Sequence, residues 1–310
     1  MAIFNILVFP GFIFLILYGS LCSWIDRKMY ARMQDRVGPP WFQPIADLLK
    51  LFAKEDIHPV GADRVLYVFS PLIAAAAVFA SMLYIPTVRD TAVFAFQGDL
   101  IVVLYLLTLP TLAFFLGGWS SGSPYPAVGA VRVITQLFAY EVPLMVAVIS
   151  PAVLAGSWSI SEISAFYSHN PLLLLVNIPG FFVAVVALQG KLERIPFDIP
   201  EAETELASGT FAEYGGRLFG FFKLTTDIEL VAGAALLGAV FMGGDFGLPL
   251  LASIPLFFAK TLFVLMFLVL MKTALGRVRI EQMIAFCWKY LAPVGIAQLF
   301  VSIIVRGFIQ

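Results

Sequence analysis

Eight apolar stretches, each about 20 residues long, set the limits on what this 310-residue chain can become. They run at about 3–22, 66–86, 100–118, 131–155, 171–190, 227–243, 251–271 and 287–306. About 20 residues of helix is the length that crosses a hydrocarbon core of about 30 Å. Hydrophobic residues make up 61% of the chain and charged ones 13%, whereas a soluble domain is roughly half apolar and a quarter charged. So little polar surface cannot cover the apolar side chains in water, and lipid is the solvent. In lipid each segment must satisfy its own backbone polar groups, which such runs do as helices. The expectation is an all-α integral membrane protein with about eight transmembrane helices, in a single polytopic domain over residues 1–310. The first stretch has no basic leader and no small-residue cleavage site, so it reads as a retained helix. The sixth is the weakest, being short, rich in Gly and Ala, and entered past Asp227 and Glu229. Pro110 and Pro143 lie inside the third and fourth stretches and predict local kinks, whose freed backbone groups neighbouring helices re-satisfy.

The basic residues orient the spans. Sixteen of the 19 Lys and Arg fall in 23–65, at Arg132, in 191–226 or in 272–289. With eight spans these all lie on one side, while Arg89 and Arg306 lie on the other and Lys260 sits within the seventh stretch. Lys and Arg accumulate on the cytoplasmic side. The loops at about 23–65, 119–131, 191–226 and 272–286 are therefore expected in the cytoplasm, with both termini outside a cell membrane crossed many times. Within the first loop, Ile45, Leu48, Leu49 and Phe52 recur at helical spacing, with Asp47 and Lys50 off that face. This predicts an amphipathic helix lying along the interface, its entry angle set by the turn Gly38-Pro39-Pro40.

Chemistry concentrates in a long acidic loop. The segment Glu193-Arg194-Ile195-Pro196-Phe197-Asp198-Ile199-Pro200-Glu201-Ala202-Glu203-Thr204-Glu205, with Glu213, holds six of the chain's 20 acidic residues. In a helix from Pro200, Glu201 and Glu205 share a face. Like charges at that spacing repel weakly in water, and in a partly dry site the stronger response is proton uptake by one of them. Such a row serves a proton relay; a solvated acidic loop, or ion pairing with Arg194 and Arg217, fits the same residues. Glu141 sharpens the question. It lies well inside the fourth stretch, where an unpaired carboxylate costs about 2.5–3.5 kcal/mol on insertion scales. It must be protonated, paired or facing a hydrated cavity. Asp227, Glu229 and Lys260 pose the same problem, and Lys260, near the middle of its span, is expected to pair with a carboxylate.

Other chemistries are not encoded. Cys22 and Cys287 offer no CxxC, so neither a zinc site nor an iron–sulfur cluster can be built from this chain alone. They read as small buried hydrophobes. His58 and His169 fall in loops on opposite sides, and no phosphate-binding or dinucleotide glycine pattern appears. Cofactor chemistry is expected on partner chains, with this one non-catalytic by itself.

Taken in order, these residues resemble a known family: the proximal membrane subunit of respiratory complex I and its relatives in membrane-bound group 4 nickel–iron hydrogenases. The resemblance runs over almost the whole chain. It is carried by Asp26-Arg27-Lys28 with Arg32, Arg36-Val37-Gly38-Pro39, Gln43-Pro44 through Asp47 to Lys50 and Lys54-Glu55, and Gly98-Asp99-Leu100. Gly129, Arg132 and Tyr140-Glu141 follow, then Arg194-Ile195-Pro196-Phe197-Asp198 with Glu201-Ala202-Glu203, Glu205-Leu206 and Glu213-Tyr214, and finally Lys260 and Arg277-Val278-Arg279 with Gln282. The resemblance implies a place between a peripheral redox arm and antiporter-like membrane subunits. It also implies iron–sulfur clusters, and a nickel–iron centre in the hydrogenase case, on partner subunits. By position, Glu141, Asp198, Glu201, Glu203, Glu205, Glu213, Asp26, Asp227, Glu229 and Lys260 would form the proton or ion path, Asp26 standing where complex I usually has glutamate. Arg27, Lys28, Arg32, Arg36, Arg132 and Arg194 would dock the peripheral arm.

The departures from the pattern point to a branch. Complex I members usually carry a glutamate three residues before the arginine matched by Arg194, where this chain has Lys191. They carry Ala-Glu-Tyr at the start of the sixth span, where this chain reads Lys223-Leu224-Thr225-Thr226-Asp227. Gly38-Pro39-Pro40 also replaces Gly-Pro-Asn. The resemblance is therefore closer to the hydrogenases and the membrane-bound sulfane sulfur reductases. It implies a coupling subunit that links ferredoxin-driven redox chemistry to proton or sodium-ion movement. The alternatives are the quinone-site subunit of a complex I-type dehydrogenase using NADH or a reduced deazaflavin, a passive membrane anchor, and a stand-alone secondary transporter, against which the absence of an inverted repeat counts.

Overall fold

The computed structural model describes residues 2–200 and 208–309, and the described residues form helices joined by short loops. In chain order these are α1 Ala2–Leu7, α2 Phe12–Met33, α3 Gln43–Ala53, α4 Arg64–Met82, α5 Asp99–Ser120, α6 Pro124–Ala155, α7 Ile160–His169 and α8 Ile178–Lys191. After the acidic segment come α9 Gly216–Phe241, α10 Leu250–Ala274, α11 Ile280–Phe286 and α12 Ala292–Ile309. Among the described residues, eight stretches are long and apolar enough to cross a membrane: Phe4–Met33, α4, α5, α6, Pro171–Lys191, α9, α10 and Ile280–Ile309. The protein is an integral membrane protein. Residues 34–63, 121–123, 192–215 and 275–279 join spans at one end of the bundle, here the basic end, as the Asp56–Arg217 and Tyr67–Glu213 contacts confirm.

The expected spans stand, but several boundaries move. The first span runs to Met33 rather than residue 22, carrying Asp26, Arg27, Lys28 and Arg32 on helix α2 instead of a loop. Its start is broken around Pro10-Gly11, where a Cβ on Gly11 would collide with the Ile6 carbonyl oxygen. The second loop shrinks from 119–131 to residues 121–123, because Pro124 opens α6 at a position where its missing N–H costs nothing. The last loop shrinks likewise, since α11 continues through a π-helical turn, Cys287–Leu291, into α12.

The largest correction concerns the sixth span. It begins at Gly216, so Asp227 and Glu229 are the twelfth and fourteenth residues of α9, well inside it. Hydropathy hides its first three turns because Arg217, Lys223, Thr225 and Thr226 interrupt them. Far from being the weakest helix, α9 is the centre of the fold: 94% of its most apolar window is buried, against 22% for the last span. A helix surrounded by protein need not be uniformly apolar, and its Gly and Ala residues let neighbours approach closely. Phe300, Ile304 and Phe308 of α12, by contrast, are exposed and suit a lipid-facing surface.

The amphipathic helix forms as expected but turned about its axis. Pro44 and Leu48 are buried, whereas Leu49 is exposed. Asp47, half-exposed, turns toward α2, its Oδ2 taking a hydrogen bond from Arg27 Nη1 at 3.0 Å. The periodicity is degenerate by one position, and the ion pair with α2 decides the rotation.

Candidate proton path

Helix α6 supplies the first carboxylate. Val131, Phe138 and Val142 leave an exposed stripe along it, and Glu141 lies beside that stripe, half-buried. Its Oε2 is nonetheless enclosed and takes no hydrogen bond from the protein. Tyr140, the next residue, is wholly buried and bonds Thr111 of α5 at 3.0 Å. Glu141 therefore sits between the protein interior and a face of α6 that none of the described residues covers.

On the interior side of Glu141 lies an ion pair that the sequence alone does not assemble. Lys191, the last residue of α8, reaches Glu229 of α9, Nζ to Oε1 3.5 Å, with both side chains 1% exposed. The ammonium also lies 5.7 Å from the centre of the Tyr140 ring. No other ion pair among the described residues is buried so completely on both sides. In the sequence Lys191 stands out only as a departure from a family pattern; its partner 38 positions away cannot be seen there.

The described first part of the acidic segment, residues 193–200, lies across the basic end and is fixed there by hydrogen bonds and ion pairs. Gln136 Nε2 donates to the carbonyls of Gly190 at 2.7 Å and Phe197 at 2.8 Å. Gln189 Nε2 donates to Ile195 at 2.5 Å, Arg132 Nη1 to Ile199 at 3.5 Å, and the Val278 N–H to Pro196 at 3.1 Å. Asp198 pairs with Arg277 at 2.7 Å. Asp26, buried on α2, accepts from Arg194 at 2.9 Å and from Lys272 of α10 at 3.1 Å. Further along, Thr210 lies against α6, where a Cβ on Gly129 would come within 2.6 Å of its backbone nitrogen. That is why the segment needs glycine at 129.

The remaining predicted residues divide. Asp227 is buried and 3.9 Å from Lys223 one turn before it. Glu213 is exposed, and only its carbonyl is engaged, by the Tyr67 hydroxyl at 2.7 Å. Glu201, Glu203 and Glu205 lie outside the described residues. Lys260 is held by backbone, its Nζ donating to the Gly243 carbonyl at 2.6 Å and to that of Gly244. Of the predicted docking residues, Arg32 and Arg36 are exposed, Lys28 is tied to the Val37 carbonyl at 2.8 Å, and Arg27 and Arg194 are engaged with Asp47 and Asp26. Burial works to raise the Asp47 carboxyl, but the Arg27 guanidinium and Gln43 amide outweigh it and hold it below the usual range.

Two cavities open beside these residues. One of about 250 Å³ is polar, lined by Asp26, Glu193, Arg194, Asp198, Lys223 and Lys272 among others. The other, about 360 Å³, is largely apolar, with Leu51, Phe211, Phe219 and Phe222 facing Asp47 and Lys50. Lys223 and Thr226 line both, so the cavities adjoin.

The profile of the NADH dehydrogenase family matches residues 5–303. The chain is 36% identical to a subunit of the NADH-quinone oxidoreductase of Dehalococcoides mccartyi strain CBDB1 over 295 residues, covering 93% of this chain and 83% of the relative. It is 36% identical to the corresponding NADH-quinone oxidoreductase chain of Anoxybacillus flavithermus strain WK1 over 312 residues, covering 97% and 91%. Among solved structures it resembles a chain of the membrane-bound sulfane sulfur reductase, an archaeal respiratory membrane complex. The TM-score is 0.85 at 30% identity, over 94% of this chain and 96% of that one.

Proposed function

This chain belongs to the NADH dehydrogenase family of membrane subunits, and from that premise we propose that it couples a peripheral redox module to the movement of protons or sodium ions. As a family member it is a membrane subunit of an energy-converting oxidoreductase. The finer reading is that the module is ferredoxin-driven, of the hydrogenase or sulfane sulfur reductase kind, and docks at the basic end on the cytoplasmic side. Iron–sulfur clusters and any nickel–iron centre then belong to that module, and antiporter-like subunits lie alongside in the membrane.

The observation that carries the reading is the arrangement of Lys191, Glu229 and Glu141. A lysine and a carboxylate both taken out of water are costly unless paired, and intramembrane ionisable groups mark ion pathways. Here the pair connects directly to the acidic segment, because Lys191 is followed by Leu192, Glu193 and Arg194. Its other flank is Tyr140-Glu141, at the edge of the uncovered stripe on α6. A charge beside that stripe is tolerable when a partner protein, not lipid, covers it. Rearrangement of the segment can thus change the field at Lys191 and Glu229 and shift a proton at Glu141. Structural similarity to a chain of a sulfane sulfur reductase and the lysine at position 191 both favour the ferredoxin-linked branch.

A second reading has its own observation. The apolar cavity beside Lys223 and Thr226 has the size and lining of a small-molecule site, which suits a quinone, as the names of the NADH-quinone oxidoreductase relatives suggest for them.

The test is Glu141→Gln in the intact complex within membrane vesicles. We expect the complex to assemble and ion translocation to be lost. Full translocation by the variant would sink the coupling role. Co-purification separates the branches: a large subunit bearing nickel ligands indicates a hydrogenase, whereas loss of those ligands indicates another reductase.

A further inference from the structure

At the end of the bundle opposite the basic loops, the helices enclose a second ionisable cluster. Lys260 is the eleventh residue of α10, yet its ammonium is drawn to the Gly243 and Gly244 carbonyls just past the end of α9. It lies 5.1 Å from the centre of the Phe246 ring. Asp245 follows directly, and its N–H donates to Asp90 Oδ1 at 2.7 Å, bringing together loops 155 residues apart. Asp90 is packed so closely that a Cβ on Gly244 would collide with its Oδ1. Burial, and then the Asp245 carboxyl against it, push Asp90 above the usual carboxylate range, while Lys260 pulls the other way. Arg89, exposed on the same loop, is the remaining charge at this wall.

The cluster borders a cavity of about 30 Å³, lined by Lys260, Asp245, Ser253, Ser164 and Thr261. That is room for one water with several polar partners. Thr261, at its inner wall, shares a hydrogen bond with Tyr18 of α2. Tyr18, Cys22 and Asp26 are buried at successive four-residue steps, which places them on one face of α2. Asp26 in turn holds Lys272 of α10 at 3.1 Å. The α2–α10 seam is therefore polar at both ends and at Tyr18–Thr261 between them.

We propose that Lys260, Asp245 and Asp90 form a proton-release station on the outer face of this protein, fed through Thr261 and Tyr18. The proposal rests on the coupling reading above and on the basic end being cytoplasmic. In the step, Lys260 breaks one N–H bond and passes the proton through the cavity to the Asp245–Asp90 carboxylates, where an O–H bond forms. The pair then yields one proton to outer water. The neutral amine takes its replacement from the Thr261 hydroxyl, which takes one from Tyr18. Tyr18 is re-protonated from the cytoplasmic end of the seam. No electron changes hands, and each group ends as it began.

The bland alternative is that Lys260 only caps the carbonyl end of α9. Lys260→Arg separates the two, because arginine keeps the charge and the donors but does not release a proton. The experiment measures ions moved per electron by the intact complex in vesicles for Lys260→Arg, Asp90→Asn and Asp245→Asn, with Glu141→Gln alongside. The expected result is normal subunit content with ion release lost in all three, as uncoupled electron transfer or as arrest of both. Asp245→Asn keeps the backbone bond to Asp90 and serves where Asp90→Asn does not assemble. Wild-type coupling in Lys260→Arg and Asp245→Asn, with Glu141→Gln uncoupled, overturns the station and leaves the coupling reading standing. Wild-type coupling in Glu141→Gln as well overturns that reading first.

Discussion

Replacing Lys191 by methionine tests whether the buried pair behaves as a paired charge. The ammonium lies 3.5 Å from Glu229 Oε1, with both side chains 1% exposed. At an effective dielectric of about 20 the attraction over that distance is about 5 kcal/mol, most of it offset by desolvation of the two ions. Methionine fills a similar volume but leaves Glu229 either charged without a partner or obliged to take up a proton. Breaking such a pair from one side costs about 3–5 kcal/mol, whereas replacing both partners by uncharged residues is often close to neutral. We therefore expect Lys191→Met and Glu229→Gln each to be strongly destabilising, and the double variant to recover most of the loss. Denaturant titration of the detergent-solubilised protein, followed by tryptophan fluorescence, gives the four corners of the cycle. A coupling energy of about 2 kcal/mol or more supports the pair. Additive losses, or a single variant as stable as wild type, would refute it, because the two groups would then not interact in the dry interior described here.

Two further perturbations probe how the segment and the amphipathic helix are held. Gly129→Val puts side-chain atoms where the Cβ alone would be 2.6 Å from the Thr210 nitrogen; the protein is expected to insert, but with residues 208–213 newly open to protease, which limited proteolysis reads. Acid should loosen α3 from α2. The folded Asp47 carboxyl lies below its ordinary value of 3.8, so its contribution is complete above that value and lost as the pH falls through the lower folded value. A spin label at Leu49 is expected to gain mobility in that window, and Asp47→Asn to show it at every pH.

How much of this is legible in the sequence depends on whether a feature is local. The eight spans follow from hydropathy and length, because lipid admits few alternatives. Glu141 stands out for the same reason, as a charge inside an apolar run. The start of α9 escapes detection because hydropathy assumes lipid as surroundings, and α9 is surrounded by protein. Asp47 falls on the wrong side of α3 because a one-position rotation leaves the pattern almost unchanged, and Arg27, 20 residues earlier, decides it. Asp26 reads in the sequence as a bare member of an ion path, but Arg194 and Lys272 neutralise it across separations of 168 and 246 residues. Lys260 is expected to face a carboxylate; it takes two carbonyls, with Asp245 beside it supplied by the α9–α10 loop. Partnerships of this kind are created by the fold, and no periodicity announces them.

These partnerships also restrict how a signal can travel. The segment after α8 is fastened by Gln136, Gln189, Asp26 and Arg277, each reaching it from a different part of the chain. Gradual deformation would strain all of these bonds together, so discrete exchange of one partner set for another is the cheaper motion. Arg194 and Lys272 share Asp26, which means a displaced Arg194 leaves that carboxylate still neutralised by lysine. Lys191 has no such reserve: among the described residues Glu229 is its ion-pair partner within 4.0 Å. Movement at Arg194, three residues further on, therefore leaves the basic-end network almost unchanged in charge while acting on the pair beside Glu141. Substituting Arg194 by lysine should preserve the ion pair to Asp26 but lose the fixed geometry of the guanidinium. If the segment signals through that geometry, ions moved per electron fall while the complex keeps its full set of subunits; an unaffected ratio would locate the switch elsewhere in the segment.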